Sequence, residues 1–226
     1  MEFKFIDDGI NAVVIDNFYT EEQMKEIQLE LKWLTRKEVL VGEDQLNTAE
    51  NEHGALASKS GVFLETVFAN WKYSSLISHA LTQMSREDFK SELIKYNPLY
   101  KILFWCNSRD HLLSYYENAQ YYKSHTDSCT FTILNYFHTE PKQFNGGEII
   151  LHSFYGDKKA TIEVKNNRTI VMTSGTFHEV AEIESQCEPY SGNGRYCNAI
   201  FMNRVDDRVW KDKPHSDEYA RRKVIA

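Results

Sequence analysis

The sequence lacks the features that would place the protein in a membrane, in the secretory pathway or on a nucleic acid. It has no apolar run of about 18 residues or more, so no transmembrane helix is predicted. Its N-terminus has no basic segment followed by an apolar one, so no signal peptide is expected. The net charge is −7, and neither a nucleic acid nor a membrane is therefore predicted as a partner.

Cys-x-x-Cys spacing is also missing. The four cysteines are Cys106, Cys129, Cys187 and Cys197. Scattered cysteines are typical of free thiols in a reducing compartment rather than of a disulfide framework. The sequence therefore predicts a cytoplasmic protein without structural disulfides, and it leaves the oligomeric state open.

The 226 residues are enough for one domain, with a helical cover and substrate loop region in residues 1–99. Thr20 and Gln23 have the spacing of a capping box, which predicts a helix start. Residues 71–95 also have a helical pattern. Residues 42–61 have no period and many small or polar side chains, which predicts a long loop that could act as a lid.

Short β-rich runs alternate with turn signals from residue 100 onward. The runs are KILFWC, HLLSYY, TFTILNYF, EIILHSF, ATIEV, TIVMT, HEVAEI and RYCNAIFMN. Many short strands at this spacing are typical of a sandwich or barrel, and a double-sheet jelly roll suits them. The expected fold is mainly β with α: a jelly-roll core in residues 100–205, with the N-terminal helices packed on one face. Residues 206–226 are expected to form a charged, peripheral tail.

His125 and Asp127 stand two residues apart in a run that has the pattern of a strand. Side chains at i and i+2 of a strand share one face, so the two would project together. His178 opens a later β-rich run after a Ser-Gly-Thr turn, and Arg195 heads the last run after an Asn-Gly turn. These four residues are candidates for a metal site with a neighbouring cation.

Two histidines and one carboxylate form the facial triad of non-haem iron(II) oxygenases, which leaves three coordination positions open. Zinc would accept the same ligands, but catalytic zinc needs only one open position. Arg195 favours iron, because a 2-oxoacid can occupy two of the open positions. A guanidinium would then bind its distal carboxylate in bidentate form.

With these residues in this order, residues 112–203 resemble the iron(II)/2-oxoglutarate-dependent dioxygenases, in particular the prolyl 4-hydroxylase-like branch. The matching elements are Tyr116, Tyr122, His125-x-Asp127, FNGGE (144–148), FHEV (177–180) and Arg195. The chain departs from the family at Ala119, where a glycine is usual, and at Asn135, where a tyrosine often helps to bind 2-oxoglutarate. The gap between His178 and Arg195 is also longer than usual.

The resemblance implies a double-stranded β-helix (jelly-roll) enzyme that uses Fe(II), 2-oxoglutarate and O2, with ascorbate as a further candidate. It implies His125, Asp127 and His178 as the catalytic metal ligands. It also implies that Arg195 binds 2-oxoglutarate, with Tyr116, Tyr122 and Asn135 as candidate hydrogen-bond partners, each expected to be cofactor-binding.

The expected reaction is hydroxylation of prolyl residues in a peptide or protein. Three alternatives stay open: the same chemistry on a free amino acid or other small metabolite, a nucleic-acid demethylase of the same superfamily, and a non-catalytic jelly-roll binding module. The demethylase is disfavoured because it would need a second arginine soon after Arg195, where the run RYCNAIFMNR offers only Arg204, nine residues on, and because the chain is acidic.

Overall fold

The computed structural model describes residues 1–7, 9–46, 49–51 and 54–205; the predicted tail at 206–226 lies outside the described residues. The helices are α1 (Glu21–Leu34), α2 (Leu64–Val67), α3 (Ser75–Met84) and α4 (Glu87–Tyr96). The strands of the first half are β1 (Glu2–Ile6), β2 (Ala12–Asp16), β3 (Val41–Gly42), β4 (Glu50–Asn51), β5 (Gly54–Ala55), β6 (Ala57–Ser58) and β7 (Ser60–Phe63).

The second half carries the longer strands. They are β8 (Ser108–Tyr116), β9 (Tyr121–His125), β10 (Phe131–Phe137), β11 (Phe144–Gly146), β12 (Ile149–His152), β13 (Lys159–Ile162), β14 (Arg168–Thr173), β15 (His178–Val180), β16 (Ile183–Ser185) and β17 (Arg195–Asn203). Among the described residues, no helix is long and apolar enough to span a membrane.

Two facing sheets form the core. One has eight strands in the order β1-β2-β14-β10-β17-β8-β7-β3, and the other has five in the order β13-β12-β15-β9-β6. The strand pairs in both sheets are antiparallel. This arrangement is the predicted double-stranded β-helix, or jelly roll.

The eight-stranded sheet is buried on both faces, because alternate residues of its central strands join two different clusters. On β10, Leu134 and Tyr136 point between the sheets, whereas Ile133 and Phe137 point toward the helices. The helical face is covered by residues of α1, α3 and α4. The prediction of helices packed on one face of the core is therefore confirmed.

Helix α1 begins as the capping box predicts. The Thr20 hydroxyl accepts a hydrogen bond from the Gln23 amide, and the Gln23 side chain accepts one from the Thr20 amide. Ile27, Leu31 and Leu34 form its buried stripe, so the helix lies against the sheet.

The predicted strand KILFWC is wrong. Pro98–Lys101 and Leu103–Trp105 are short 3-10 helices. The Asn97 side chain accepts a hydrogen bond from the Leu99 amide, and Pro98 occupies the first helical position. A capped, proline-led turn of this kind overrides the β propensity of Ile102, Leu103 and Phe104.

The start of the jelly roll at residue 100 also needs correction. Strands β1, β2, β3 and β7 belong to the eight-stranded sheet and β6 to the five-stranded one, so the first 63 residues supply edges of both. The predicted loop at 42–61 therefore includes strand residues, and its Leu46 and Ala57 are buried. The pattern missed them because two- to four-residue strands are too short to show alternation. A lid role for this segment and the single-domain interpretation stay predictions.

Candidate active site

A buried pocket lies between the two sheets. It brings together His125, Asp127 and His178 with Tyr116 and Arg195. The remaining lining residues are mainly aliphatic and aromatic: Leu112, Tyr122, Leu134, Tyr136, Ile149, Val180, Ala199 and Phe201, with Lys59, Ser114 and Cys197. The pocket thus combines a small set of polar groups with an apolar wall, as ligand sites commonly do.

The two histidines lie side by side on neighbouring strands of the five-stranded sheet. His178 opens β15 and is in register with His125 at the end of β9. Their ring centroids are 4.2 Å apart, and both side chains are buried. Strand pairing, rather than chain proximity, creates this part of the site.

Each histidine has its Nε2 available for a ligand. The Nδ1 of His125 lies 2.8 Å from the carbonyl oxygen of Lys123, and that of His178 lies 2.9 Å from the carbonyl of Thr176. A carbonyl only accepts, so both Nδ1 atoms carry the proton and both Nε2 atoms are free acceptors. Burial, and then the neighbouring His178, lower the pKa of His125 to about 3, so His125 is neutral at physiological pH.

Asp127 is the third residue of the triad and lies in the connection that follows β9. Its carboxylate oxygens lie 3.9 Å from His125 Nε2 and 3.7 Å from His178 Nε2, and the three donor groups all lie within 4.8 Å of one another. Asp127 is outside the strand, so the shared-face reasoning from strand alternation is wrong. The residue is placed instead by its amide, which donates to the Ser174 carbonyl at the end of β14.

Thr132 orients the carboxylate of Asp127. Its hydroxyl donates to Asp127 Oδ2 at 2.5 Å and lies 3.1 Å from Ser174 Oγ. We expect Thr132→Val to weaken metal binding by roughly 10- to 100-fold, because removal of a ligand-orienting hydrogen bond typically costs that much. Calorimetric titration of Fe(II) under argon measures it. Thr132→Ser, which keeps the hydroxyl, is the control, and equal affinities in the two variants would contradict the role.

Arg195 enters the pocket from the first position of β17, paired with Tyr116 on β8. It is 1% exposed, and its guanidinium carbon lies 4.8 Å from the Tyr116 ring centre and 4.7 Å from that of Tyr136. Its Nε and Nη1 are buried and have no hydrogen-bond acceptor among the residues that the structure describes. Buried N–H groups of a guanidinium are costly unless an anion satisfies them, so the geometry fits a carboxylate between the two tyrosines.

The Gly146-Gly147 pair of the FNGGE element makes room for this arginine. Gly147 has φ +74°, and a Cβ there would lie 2.9 Å from Arg195 Cδ and 2.3 Å from Ile183 Cδ1. Gly146, at φ +73°, lies too close to the Glu182 carbonyl for any side chain. The two glycines therefore allow both the turn and the close packing against Arg195.

Tyr116 and Tyr122 both lie in the pocket, as predicted. The Tyr122 ring stacks on His125 at 3.6 Å between centroids, and its hydroxyl accepts a hydrogen bond from the Ala49 amide. Tyr116 contacts Arg195, and burial raises the pKa of its hydroxyl. Direct contact of either residue with a cosubstrate stays a prediction.

Asn135 does not reach the pocket, so its predicted contact with 2-oxoglutarate is wrong. It lies on the helix-facing side of β10, where its Oδ1 accepts from the hydroxyls of Tyr19 and Thr169 and its Nδ2 donates to the Asn198 carbonyl. Its neighbour Tyr136 occupies the pocket side, and the buried Tyr136 hydroxyl has no hydrogen-bond partner in the described part of the chain. The side chain that faces the pocket thus belongs to residue 136, one position after the predicted one. In a strand, a shift of one residue moves a side chain to the opposite face of the sheet.

Substitutions at the neighbouring positions 135 and 136 of β10 test which of the two side chains binds 2-oxoglutarate. Asn135→Ala is expected to lower the free energy of unfolding by about 1–3 kcal/mol, because it leaves the buried Tyr19 hydroxyl without an acceptor. Tyr136→Phe removes an unpartnered hydroxyl and should leave stability unchanged while weakening 2-oxoglutarate binding. Denaturant unfolding and calorimetry separate the two effects, and weaker 2-oxoglutarate binding by the Asn135 variant at unchanged stability would reverse the assignment.

Two pocket residues, Lys59 and Tyr136, have no clear signal in the sequence, and neither has Thr132, which donates to Asp127. Tyr136 follows Asn135 directly, so knowledge of the strand's register would have found it. Lys59 lies in the segment that the sequence assigns to a loop, and only the sheet pairing brings it to the site.

The side chains of the pocket are of the kinds that bind an iron(II) ion and a 2-oxoacid. Two imidazoles and one carboxylate with converging donor atoms form a 2-His-1-carboxylate set. The guanidinium of Arg195, whose Nε and Nη1 have no acceptor among the described residues, supplies a cation for the distal carboxylate of the 2-oxoacid. Fold and site together therefore define a jelly-roll protein with an oxygenase-type metal site.

Comparison with known proteins agrees with this class. Residues 111–203 match the family model described as "2OG-Fe(II) oxygenase superfamily", a segment that contains the triad and Arg195. No curated protein sequence matches the chain significantly. Residues 111–203 are thus similar to the 2OG-Fe(II) oxygenase superfamily, whose members use Fe(II), 2-oxoglutarate and O2.

Solved structures of prolyl hydroxylases share the fold. A Pseudomonas putida prolyl-4-hydroxylase is 14% identical, with a TM-score of 0.59 over 87% of this chain and 94% of that one. A Trichoplax adhaerens prolyl hydroxylase, solved with a hypoxia inducible factor peptide fragment, is 14% identical, with a TM-score of 0.61 over 92% and 89%. At this identity the likeness shows the fold alone, and it confirms a prolyl 4-hydroxylase-like architecture.

Proposed function

We propose that the protein is an iron(II)- and 2-oxoglutarate-dependent hydroxylase that acts on prolyl residues of a peptide or protein. One observation carries the proposal: a buried pocket holds two imidazole Nε2 atoms, a carboxylate and a guanidinium whose Nε and Nη1 have no acceptor among the described residues. The order of the sequence motifs and the likeness to prolyl hydroxylases support the prolyl substrate. A cytoplasmic location stays a prediction from the cysteines.

Each residue has a defined task in this proposal. His125, Asp127 and His178 hold the metal, and the two Nδ1–H groups fix the imidazoles by donating to main-chain carbonyls. When bound, iron(II) and 2-oxoglutarate supply O2-dependent hydroxylation coupled to the formation of succinate and CO2. Arg195 binds the distal carboxylate of 2-oxoglutarate, and the Tyr136 hydroxyl adds a hydrogen bond to it.

The apolar wall of the pocket excludes water from the reaction. Leu134, Ile149 and Val180 lie around the polar groups and are largely buried. A dry site strengthens the interactions of Arg195 and the triad with their ligands and suppresses side reactions.

The proposal is tested by succinate formation from 2-oxoglutarate under Fe(II), ascorbate and air, with proline-containing peptides and, separately, with a pool of small metabolites. Substrate-dependent succinate with the peptides supports the prolyl function. Turnover with metabolites alone supports the alternative substrate class. No succinate under any condition, with iron bound, would favour a binding module over an enzyme.

A small-molecule substrate has one specific observation in its favour. Lys59 contributes a second buried cation to the pocket besides Arg195. The backbone around a peptidyl proline has no charge for such a cation to bind, whereas a free amino acid has a carboxylate.

A further inference from the structure

Lys59 lies where the chain crosses from one sheet to the other. Ala57 of β6 pairs with Tyr122 in the five-stranded sheet, and Ser60 of β7 pairs with Tyr115 in the eight-stranded sheet. Lys59 stands between these strands and points into the pocket, where it is only 4% exposed. The crossing therefore fixes its main chain on both sides and holds the ammonium group inside the fold.

The ammonium group of Lys59 has little to bind in the protein. Its Nζ donates to Ser114 Oγ at 3.0 Å and lies 4.8 Å from the ring centre of Tyr122 and 5.9 Å from that of Tyr116. Within the ranges that the structure describes, no carboxylate lies within 4.0 Å of it. One hydroxyl and two aromatic faces leave an ammonium with three donors incompletely satisfied.

Burial of such a group opposes folding unless a ligand compensates for it. Desolvation lowers the pKa of Lys59 to about 8, so at neutral pH most of the protein carries the ammonium form. A methionine would fill the same space at lower cost, since apolar replacements of buried charges are often neutral or stabilising. The position of Lys59 is thus better explained by a bound anion than by structural support.

The charges of the loaded site indicate where the anion comes from. Two positive charges from iron(II) and one from Arg195 balance one negative charge from Asp127 and two from the 2-oxoglutarate dianion. Protonated Lys59 then leaves one positive charge without a partner in a buried pocket. A carboxylate on the primary substrate would neutralise it.

We propose that Lys59 binds a carboxylate other than the one held by Arg195, and that this carboxylate belongs to the primary substrate. The inference rests on the iron(II)- and 2-oxoglutarate-dependent chemistry of the proposed function, and it favours the second substrate class, small carboxylic acids such as free amino acids, over peptidyl proline. The same chemistry could also come from the C1 carboxylate of 2-oxoglutarate, and the two sources are separable by experiment.

The first arm titrates the Fe(II)-loaded protein under argon with 2-oxoglutarate and with 2-oxovalerate, which lacks the distal carboxylate. Calorimetry compares wild type with Lys59→Met, Lys59→Arg, Arg195→Met and, as an exposed lysine on β13, Lys159→Met. If Lys59 binds the substrate, Lys59→Met leaves both affinities unchanged. If it binds the C1 carboxylate, Lys59→Met weakens both acids by the same factor, about tenfold or more, and Lys59→Arg restores them.

The second arm measures melting temperatures with free L-amino acids and with the matching carboxamides, for metal-free protein and for the anaerobic Fe(II)–2-oxoglutarate complex. A substrate carboxylate at Lys59 predicts that at least one free amino acid stabilises wild type and Lys59→Arg, that its amide does not, and that Lys59→Met loses the response. The unliganded Lys59→Met protein should melt at the same temperature as wild type or higher, whereas a structural lysine would give a lower one.

An amino-acid response that Lys59→Met loses, at unchanged 2-oxoacid affinities, supports the inference. Weaker binding of both 2-oxoacids by Lys59→Met would assign the carboxylate to the cosubstrate and overturn the substrate assignment. Unchanged 2-oxoacid affinities in Lys59→Met, together with no carboxylate response that this variant loses, would overturn it. Arg195→Met tests the proposed function without changing Lys59, so a failure of the proposed function can be told from a failure of the inference on Lys59. If wild type binds neither iron nor 2-oxoglutarate, the proposed function is wrong. The binding of a carboxylate by Lys59 is then tested by the melting temperatures of the metal-free protein alone.

Discussion

Substitution of any one triad residue, His125→Ala, Asp127→Ala or His178→Ala, is expected to abolish turnover and to weaken Fe(II) binding by more than about 100-fold. Loss of a residue that only orients a ligand already costs roughly 10- to 100-fold, and each substitution removes a ligand itself. The fold should persist, because these side chains meet at the pocket and do not form the apolar clusters.

Fe(II) titration under argon and succinate formation measure the two effects, and circular dichroism checks the fold. The matched control is His152→Ala, a histidine on the neighbouring strand β12 that contacts Glu179 at 3.3 Å and is not among the clustered donors. It should keep its iron affinity. If two of the three triad variants kept near-wild-type activity, the assignment of the metal ligands would be wrong.

Arg195→Met is expected to weaken 2-oxoglutarate binding by roughly 100- to 1000-fold. Breaking a buried ion pair costs about 3–5 kcal/mol, and each ~1.4 kcal/mol is a factor of ten. The effect should be this large because Arg195 is fully enclosed, so no water can replace its N–H groups at the carboxylate. Iron affinity should be nearly unchanged.

Calorimetry with 2-oxoglutarate and 2-oxovalerate tests the reason as well as the size of this effect. Only 2-oxoglutarate has the distal carboxylate, so the difference in affinity between the two acids should largely disappear in Arg195→Met. Lys159→Met, which removes an exposed positive charge, should behave as wild type. An undiminished preference for 2-oxoglutarate would mean that another cation, such as Lys59, binds the distal carboxylate.

The sequence predicted those parts of the fold whose patterns are local and long. The run RYCNAIFMN coincides with strand β17, because an Asn-Gly turn marks its start and the nine residues that follow include several β-prone ones. The Thr20–Gln23 capping box marked the start of α1 in the same way. The triad and Arg195 were recognisable because their residue types are unusual in strands and stand next to turns.

The errors have a common physical cause: a sequence shows neither register nor pairing. The choice of Asn135 instead of Tyr136 is an error of one residue, which in a strand moves the side chain to the opposite face. Lys59 was missed because its neighbours β6 and β7 become strands only by pairing with β9 and β8. Such short edge strands form only through contacts between distant segments, and no local hydrophobic period predicts them.

The most direct test of the central claim is a thermodynamic cycle of 2-oxoglutarate binding, measured by calorimetry with and without Fe(II) under argon. The triad and Arg195 are proposed to form one site for one ligand. One 2-oxoglutarate per chain should therefore bind more tightly with iron than without it. Asp127→Ala should remove the dependence on iron, and Arg195→Met should weaken binding in both states. Binding of 2-oxoglutarate that is indifferent to iron and to both substitutions would contradict the account.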